Sequence, residues 1–469
     1  MKESIRNKQI QDSAVIALCF LLTSTGYLAW TYNILGLSDA AVSDALTLVA
    51  AYLFQAAGIV LFSLTTRRRG DLLRQSMYII PSLYMLFLIP AALSKELIQA
   101  AGFGMVLNLL CGWIAGYYLW RLSARENASS QAVTLGVGYS ISILASWLLS
   151  LFCRGVLYYS DSILIICLVL TAVVIFVIYK TPAQDGSGYD ASGYEGSLYG
   201  STEIPLRLQL PEKVSFRRFF ILAAALIILF SMVNICGFGF PSADLQDGVN
   251  LEFSRLFYAA GLLLAGYLNH RNRRYGAICA LIALIVPFFV LAVKGEPVSA
   301  TLFWALSYFT FGFYSIYRMV LFLDISREKK LLWLSCLGLM FGRIGDALGE
   351  IVCLILSGHF LMQVGVLALL FIVSALLFFY LYQFLYQPEA KAQRSEREVF
   401  NRFSAKYDLS AREREVLRYL LDEKSNSDIA SELMISEGTV KYHIHNLLQK
   451  TSCRNRIALI AAYTAERDM

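Results

Sequence analysis

The sequence predicts an all-α protein in which a twelve-helix transmembrane bundle, arranged as six plus six, precedes a small four-helix soluble domain. Three observations predict it. Apolar residues make up 57% of the 469 positions and the mean hydropathy is +0.58, more than soluble chains of this length carry. The excess is gathered into long runs such as residues 162–179, SILIICLVLTAVVIFVIY; a helix needs about 20 such residues to cross the hydrocarbon layer. After Leu385 the runs stop, and short amphipathic segments punctuated by Ser, Asp and Gly take their place.

Taken in order, the apolar runs place spans over 13–33, 43–64, 76–94, 97–120, 132–152, 161–180, 218–238, 251–268, 275–293, 298–323, 331–357 and 360–385. The first is preceded by Lys2, Arg6 and Lys8, but no small-residue cleavage site follows it, so it reads as the first helix of the bundle. With the N-terminus inside, the inward segments hold twenty Lys and Arg and the outward segments only Lys95, Arg154 and Lys294. That asymmetry orients the bundle with both termini in the cytoplasm.

Between spans six and seven, residues 181–217 include DGSGYDASGYEGSLYG, with Tyr189, Tyr194 and Tyr199 five residues apart. Such a composition has no apolar face to bury and reads as a flexible cytoplasmic linker. It separates a first membrane half, 1–180, from a second, 218–385. A second linker, with some helix, is expected over 386–406 and a soluble domain over 407–469. Most of the nine cysteines lie inside apolar runs without paired metal spacing, as small buried hydrophobes do. Cys153 is expected near the outer surface and Cys453 in the cytoplasm. The residues suggest no metal site and no cofactor. With no phosphate loop and no nucleophile beside a base, they suggest no enzyme either.

In the soluble domain Ser410 and Glu413 have capping-box spacing, ahead of a stripe of Val416, Leu417, Leu420 and Leu421. Ser425 or Asn426 starts a second helix carrying Ile429, Ala430 and Leu433. A tight turn at 434–436 leads to a third helix from Glu437, with Val440, Ile444, Leu447 and Leu448 inward. A fourth, from Arg456 to about Ala465, contributes Ile457, Leu459 and Ile460. Helix, short turn, helix is the arrangement that projects a recognition helix into a major groove.

These residues resemble the LuxR/NarL-type helix-turn-helix. The family pattern is matched by Arg412–Leu417, Ser425–Asn426, Ile429–Ala430, Leu433, Ile435–Ser436, Thr439–Lys441, His443, Lys450 and Arg456. Glu423 replaces a usual glycine and Thr451 a usual leucine, which bears on the turn into the second helix and on the packing of the fourth. The resemblance implies that Lys441, Tyr442 and His445 face bases, that Thr439 and Lys450 contact phosphate, and that the domain pairs through its fourth helix as a homodimer on DNA. The charge fits that role: between Lys441 and Arg456 there are four basic residues, two histidines and no acid. His443 reads as a packed helix residue.

The six-plus-six bundle resembles the major facilitator superfamily. The loop Gly266–Arg274, GYLNHRNRR, is similar to that family's motif between the second and third helix of a half, with His270 in place of the acid and Arg273 in place of a glycine. The equivalent SLTTRRRG at 63–70 also lacks the acid. Within span eleven, Arg343, Asp346 and Glu350 share one helical face among Gly338, Gly342, Gly345 and Gly349. Ionisable groups in spans are costly and face bundle interiors, so these three are the ligand-sensing candidates, with a structural ion-pair network as the alternative role. Arg318 is expected near the cytoplasmic end, snorkelling. Glu252 and Arg255 are placed at an outer entrance. Aromatics over 308–317 read as packed core or cavity lining.

Together the two resemblances imply a transcription regulator in the cytoplasmic membrane that senses a small molecule through its bundle. Its partners are promoter DNA, that molecule, membrane lipids and a second copy of itself. The competing expectations are an active transporter with an attached DNA-binding regulatory domain, and a bundle that serves only as an anchor.

Overall fold

The computed structural model describes residues 2–37, 41–68, 70–124, 128–152, 161–181, 215–242, 251–286, 297–329, 331–382, 385, 399–422 and 424–467. The 181–217 loop, apart from its ends, lies outside them, as do Cys153, Glu423 and the stretch 386–398. The side chain of Glu252 is likewise outside what is described. The chain divides into two compact units: one contains the helices from residue 2 to 382, the other those from 399 to 467.

The larger unit is helical throughout its described residues. In order it contains α1 (Lys2–Leu37), α2 (Ala41–Arg68), α3 (Gly70–Leu93), α4 (Leu97–Ser123), α5 (Ala128–Phe152) and α6 (Asp161–Lys180). The second set is α7 (Phe216–Ser242), α8 (Leu251–Arg271), α9 (Arg273–Ala283), α10 (Pro297–Glu328), α11 (Leu337–Ile355) and α12 (Phe360–Tyr382). Nine of these described helices are long and apolar enough to cross a membrane. Large apolar side chains stay uncovered on α6 (Ile165 63%, Leu168 58%) and α12 (Leu369 60%, Leu376 68%). An apolar surface of that extent is unfavourable in water and suits lipid contact.

The two sets of six repeat the same contacts. In the first, α2 and α4 meet backbone to backbone at Gly58 and Gly112, where any Cβ would collide with the carbonyls of Leu109 and Gln55. In the second, α8 and α10 meet in the same way at Gly261 and Gly312. Small residues at these crossings let helices approach closely enough for dispersion contacts to hold them without water's help. The halves join through α5 against α8, where Ser140 Oγ donates to the Ala259 carbonyl at 2.9 Å, and through α2 against the start of α11. There Ser63 Oγ donates to the Trp333 carbonyl at 3.0 Å, and the Arg67 guanidinium lies 5.4 Å from the Trp333 ring centre.

Two departures from the sequence reading follow from side chains. Span eleven, expected as one run from 331, begins with a 3-10 turn at Leu332–Leu334 before α11. The Leu332 carbonyl accepts from the Ser335 N–H at 3.2 Å, three residues on, and from Ser335 Oγ at 2.7 Å, while the Trp333 carbonyl accepts from Ser63 Oγ. Arg273, standing where the loop motif has glycine, is not a solvated loop charge. It is buried, and its Nε lies 3.0 Å from Asp324 of α10. Arg121 is buried in the same way against Asp12 of α1, at 2.8 Å.

The smaller unit comprises α13 (399–406), α14 (Ala411–Leu421), α15 (Asn426–Glu432), α16 (Glu437–Thr451) and α17 (Arg456–Arg467). Phe403, Val416, Leu417, Leu420, Ile429, Val440, Leu447 and Leu459 are fully buried in one core. The stretch 386–406, read as a linker with some helix, is helical over 399–406. Val399, Phe400 and Phe403 of that helix belong to the core, with the Phe403 and Tyr463 rings 5.2 Å apart. Ile457 is a correction: it is 78% exposed, because Leu459 takes the inward face of α17.

A leucine introduced at Gly58 or Gly261 must separate two helix backbones. Overpacking of this kind costs about 1–3 kcal/mol even where neighbours adjust. Either variant is expected to lower the midpoint of thermal unfolding in detergent by several degrees or to abolish monodisperse protein, as size-exclusion and melting measurements would show. Gly36, with nothing near its missing side chain, should accept alanine without such a loss.

Candidate functional site

The smaller unit is built on three serine caps. Ser410, Ser425 and Ser436 each stand in extended backbone at a helix start, and each accepts from the backbone N–H three residues on. The first two form capping boxes with Glu413 and Asp428, which satisfies amides a helix start otherwise leaves open. The turn between α15 and α16 contains Met434 with φ of +52°. The Arg412 guanidinium closes this corner, donating to the Leu433 carbonyl at 3.0 Å.

On α16, Val440 and Leu447 point into the core while Lys441, Tyr442 and His445 are exposed, Tyr442 by 63%. One helix therefore presents a lysine, a phenol and an imidazole on its free face, a set able to donate to and stack on base edges. Thr439 is exposed at the first turn, its hydroxyl 2.8 Å from Ser436 Oγ. Backbone amides and hydroxyls at such a helix start suit a phosphate. His443 is half-buried, its ring 5.7 Å from that of Tyr442.

Lys450 has a role that spacing did not reveal. Its ammonium donates to Glu413 Oε2 at 2.8 Å and to the Asp408 carbonyl at 2.7 Å, tying the end of α16 to the start of α14. One of its three N–H groups remains for another acceptor. Burial alone would raise the Glu413 carboxyl, but Lys450 and the Ser410 amide and hydroxyl together hold it below its ordinary value. Thr451, standing where leucine is usual, is buried and returns its hydroxyl to the Leu447 carbonyl at 2.7 Å.

In the larger unit the span-eleven candidates do come together, with a partner the sequence reading misplaced. Arg343 donates to Asp346 Oδ2 at 3.0 Å, and Arg318 of α10 approaches the same oxygen at 3.6 Å. Arg318 is only 7% exposed, so the expectation that it snorkels is wrong. Gly338 and Gly342 explain why. A side chain at Gly338 would meet the Arg318 carbonyl, and one at Gly342 would stand 3.0 Å from its Nη1. Their absence opens a slot for the guanidinium beside Asp346. Tyr314 sits one turn before Arg318, 3.3 Å from its Nη1, and shares a short hydrogen bond with Ser231.

Arg343 keeps 25% side-chain exposure and lies 5.4 Å from the ring centre of Tyr52 on α2, across the junction of the two halves. Tyr27 on α1 and Tyr52 lie within electrostatic reach of each other and of Arg343 and Glu350. Glu350 is half-buried one turn beyond Asp346. Among the described residues no group of three His, Cys, Asp or Glu is placed to hold a metal ion. In the aromatic stretch, Phe238 packs against Trp304, Tyr308 and Phe311 at 5.4–5.6 Å.

A serine-capped helix-turn-helix with a basic outward helix, on the same chain as a doubled bundle of membrane helices, defines a membrane protein with a DNA-binding regulator domain. Residues 408–462 match the bacterial regulatory proteins of the luxR family. Spore germination protein GerE of Bacillus subtilis (strain 168) is 48% identical over 54 residues, 12% of this chain and 73% of GerE. Nitrate/nitrite response regulator protein NarP of Escherichia coli (strain K12) is 44% identical over 73 residues, 15% of this chain. The match spans only about a third (34%) of NarP. The chain belongs to the luxR family through this domain. The larger unit has the fold of the nucleoside transporter NupG, with a TM-score of 0.51 and 15% identity over 79% of this chain and 99% of that structure. A point mutant of NupG gives a TM-score of 0.50 at 14% identity, over 80% of this chain.

The Glu413–Lys450 link predicts an acid sensitivity of the smaller unit. A carboxyl held low contributes stability that is present above its unfolded value and lost as pH falls through its folded one. Melting of the domain should therefore fall as pH drops below the ordinary carboxylate range, and Glu413→Gln should flatten that dependence. Ser410→Ala should cost about 1 kcal/mol at neutral pH, read by denaturant titration.

Proposed function

We propose that this protein is a one-component transcription regulator of the cytoplasmic membrane, which binds a small molecule between its two six-helix halves and promoter DNA through α16. The observation that carries the reading is Arg343 on Tyr52. A buried, partly open cation of the second half meets an aromatic ring of the first, so a molecule bound there touches both halves at once. A ligand shifts an equilibrium only by its difference in affinity for two arrangements, and a site shared by two bodies has such a difference built in. Arg343, Asp346 and Glu350 are the sensing residues of this proposal. Twelve crossings with both termini in the cytoplasm bring the DNA-binding domain to the compartment that holds the promoter.

On DNA, Lys441, Tyr442 and His445 read bases while Thr439 and the free N–H of Lys450 hold phosphates. Two copies pair through α17, whose exposed Ile457 supplies an apolar contact. The bundle then acts on transcription by changing how two such domains are presented to their half-sites. The relatives of the smaller unit are named as transcriptional regulators, which favours regulation over catalysis as the role of the whole chain.

Transcript profiling of a deletion strain across a panel of small molecules is expected to show one set of promoters losing its response, restored by the wild-type gene but not by Arg343→Gln. Normal induction by Arg343→Gln and Glu350→Gln, with the protein present in the membrane, would reduce the bundle to an anchor. Accumulation of labelled inducer in vesicles would make it a transporter instead. Lys441→Ala is expected to cost about 1–3 kcal/mol of specific promoter affinity, and an unchanged footprint would remove Lys441 from the reading face.

A further inference from the structure

The charged cluster has an asymmetry that the sensing role does not by itself require. Asp346 serves two guanidiniums, Arg318 and Arg343. Arg318 is closed in, and its Nε has no hydrogen-bond partner. Arg343 is the open member, with a single donor atom engaged by Asp346. The positive charge left over by one carboxylate between two cations therefore faces outward through Arg343.

Glu350 is the opposite case. Among the described residues its carboxylate has no hydrogen bond and no ion-pair partner, and Asp346, one turn earlier on the same helix, carries a charge of the same sign. It lies on the same face of α11 as Arg343, seven residues further on, about 10 Å at about 1.5 Å per residue. A bare carboxylate and a half-satisfied guanidinium are both expensive in a membrane bundle. Each nonetheless stays half-buried in the interior rather than sealed. Tyr27 and Tyr52, also half-buried, present aromatic rings and phenol hydroxyls within electrostatic reach of both charges, the Tyr52 ring centre 5.4 Å from Arg343.

We infer that the ligand is amphoteric: a compound with a protonated amine that meets Glu350 and a separate anionic group that meets Arg343, joined by a flat apolar body that lies against Tyr27 and Tyr52. The inference rests on the sensing role proposed above and narrows it. Neutral ligands leave both charges unanswered, and a simple anion or cation answers one. An α-amino group and carboxylate on the same carbon are too close together to span two helical turns, so the two charges sit at opposite ends of the molecule.

Three probes test it on the full-length protein in detergent: 3-[4-(2-aminoethyl)phenyl]propanoic acid, its amine-free analogue 3-(4-ethylphenyl)propanoic acid, and its acid-free analogue 2-(4-propylphenyl)ethylamine. Binding is followed by titration calorimetry and by the shift in unfolding temperature. The amphoteric probe is expected to bind at least about tenfold more tightly than either singly charged analogue, in line with a charge-assisted hydrogen bond at each end. Glu350→Gln should erase its advantage over the amine-free acid. Arg343→Gln should erase its advantage over the amine. Glu350→Asp, which keeps the charge, should retain part of the first advantage and so separates lost charge from lost folding.

A singly charged analogue that binds as well as the amphoteric probe would overturn the inference and leave the sensing role standing. So would failure of all three to bind protein that melts cooperatively. The sensing role falls on a different result, an unaltered promoter response in Arg343→Gln cells, which involves none of these compounds.

Discussion

Two guanidiniums share one carboxylate inside a bundle that lipid surrounds, and the second half of this protein is arranged around that fact. A charge taken out of water costs several kcal/mol unless a partner and hydrogen bonds receive it. Asp346 receives Arg318 and Arg343, and α10 and α11 must approach closely for it to do so. The glycines at 338 and 342 allow that approach, and those at 345 and 349 let α11 lie against Ile228 and Ile235 of α7. Removing Asp346 would leave both guanidiniums without a counter-charge, so the cluster and the packing of three helices stand together.

The same constraint governs the ends of the bundle. Arg121 and Arg273 are each buried on an aspartate of a neighbouring helix. These buried pairs join α1 to α4 and α9 to α10. Where the halves meet, Arg343 lies 5.4 Å from the Tyr52 ring centre and both keep partial exposure. Within the triad Asp346 is buried and paired with two guanidiniums, whereas Arg343 and Glu350 keep partial exposure.

The smaller unit follows a different rule, because water can satisfy its surface. Its order comes from local capping and one compact core, with Lys450 of α16 paired to Glu413 of α14. Phe400, Phe403 and Tyr463 tie α13 to α17, so the segment that enters the domain from the membrane side of the chain packs directly on the helix proposed for pairing.

Much of this protein is determined locally and is legible in its residues. Hydropathic runs require membrane helices, because unsatisfied backbone cannot enter lipid. Serine caps fix the starts of α14, α15 and α16, and i, i+3, i+7 spacing puts Arg343, Asp346 and Glu350 on one face. The spacing of the LuxR-type pattern likewise marked Lys441, Tyr442 and His445, all of which are exposed. What tertiary structure alone decided are contacts between elements far apart in the chain. Arg318 is pulled from an expected snorkel onto Asp346 because two glycines of another helix make room. Lys450 closes on Glu413 thirty-seven residues away. Val399 and Phe403 become core only when α17 covers them, and Ile457 becomes surface because Leu459 wins the inward face. Local sequence fixes which residues share a side of a helix; only the packing of other helices determines what that side meets, and so which charges are closed and which remain open.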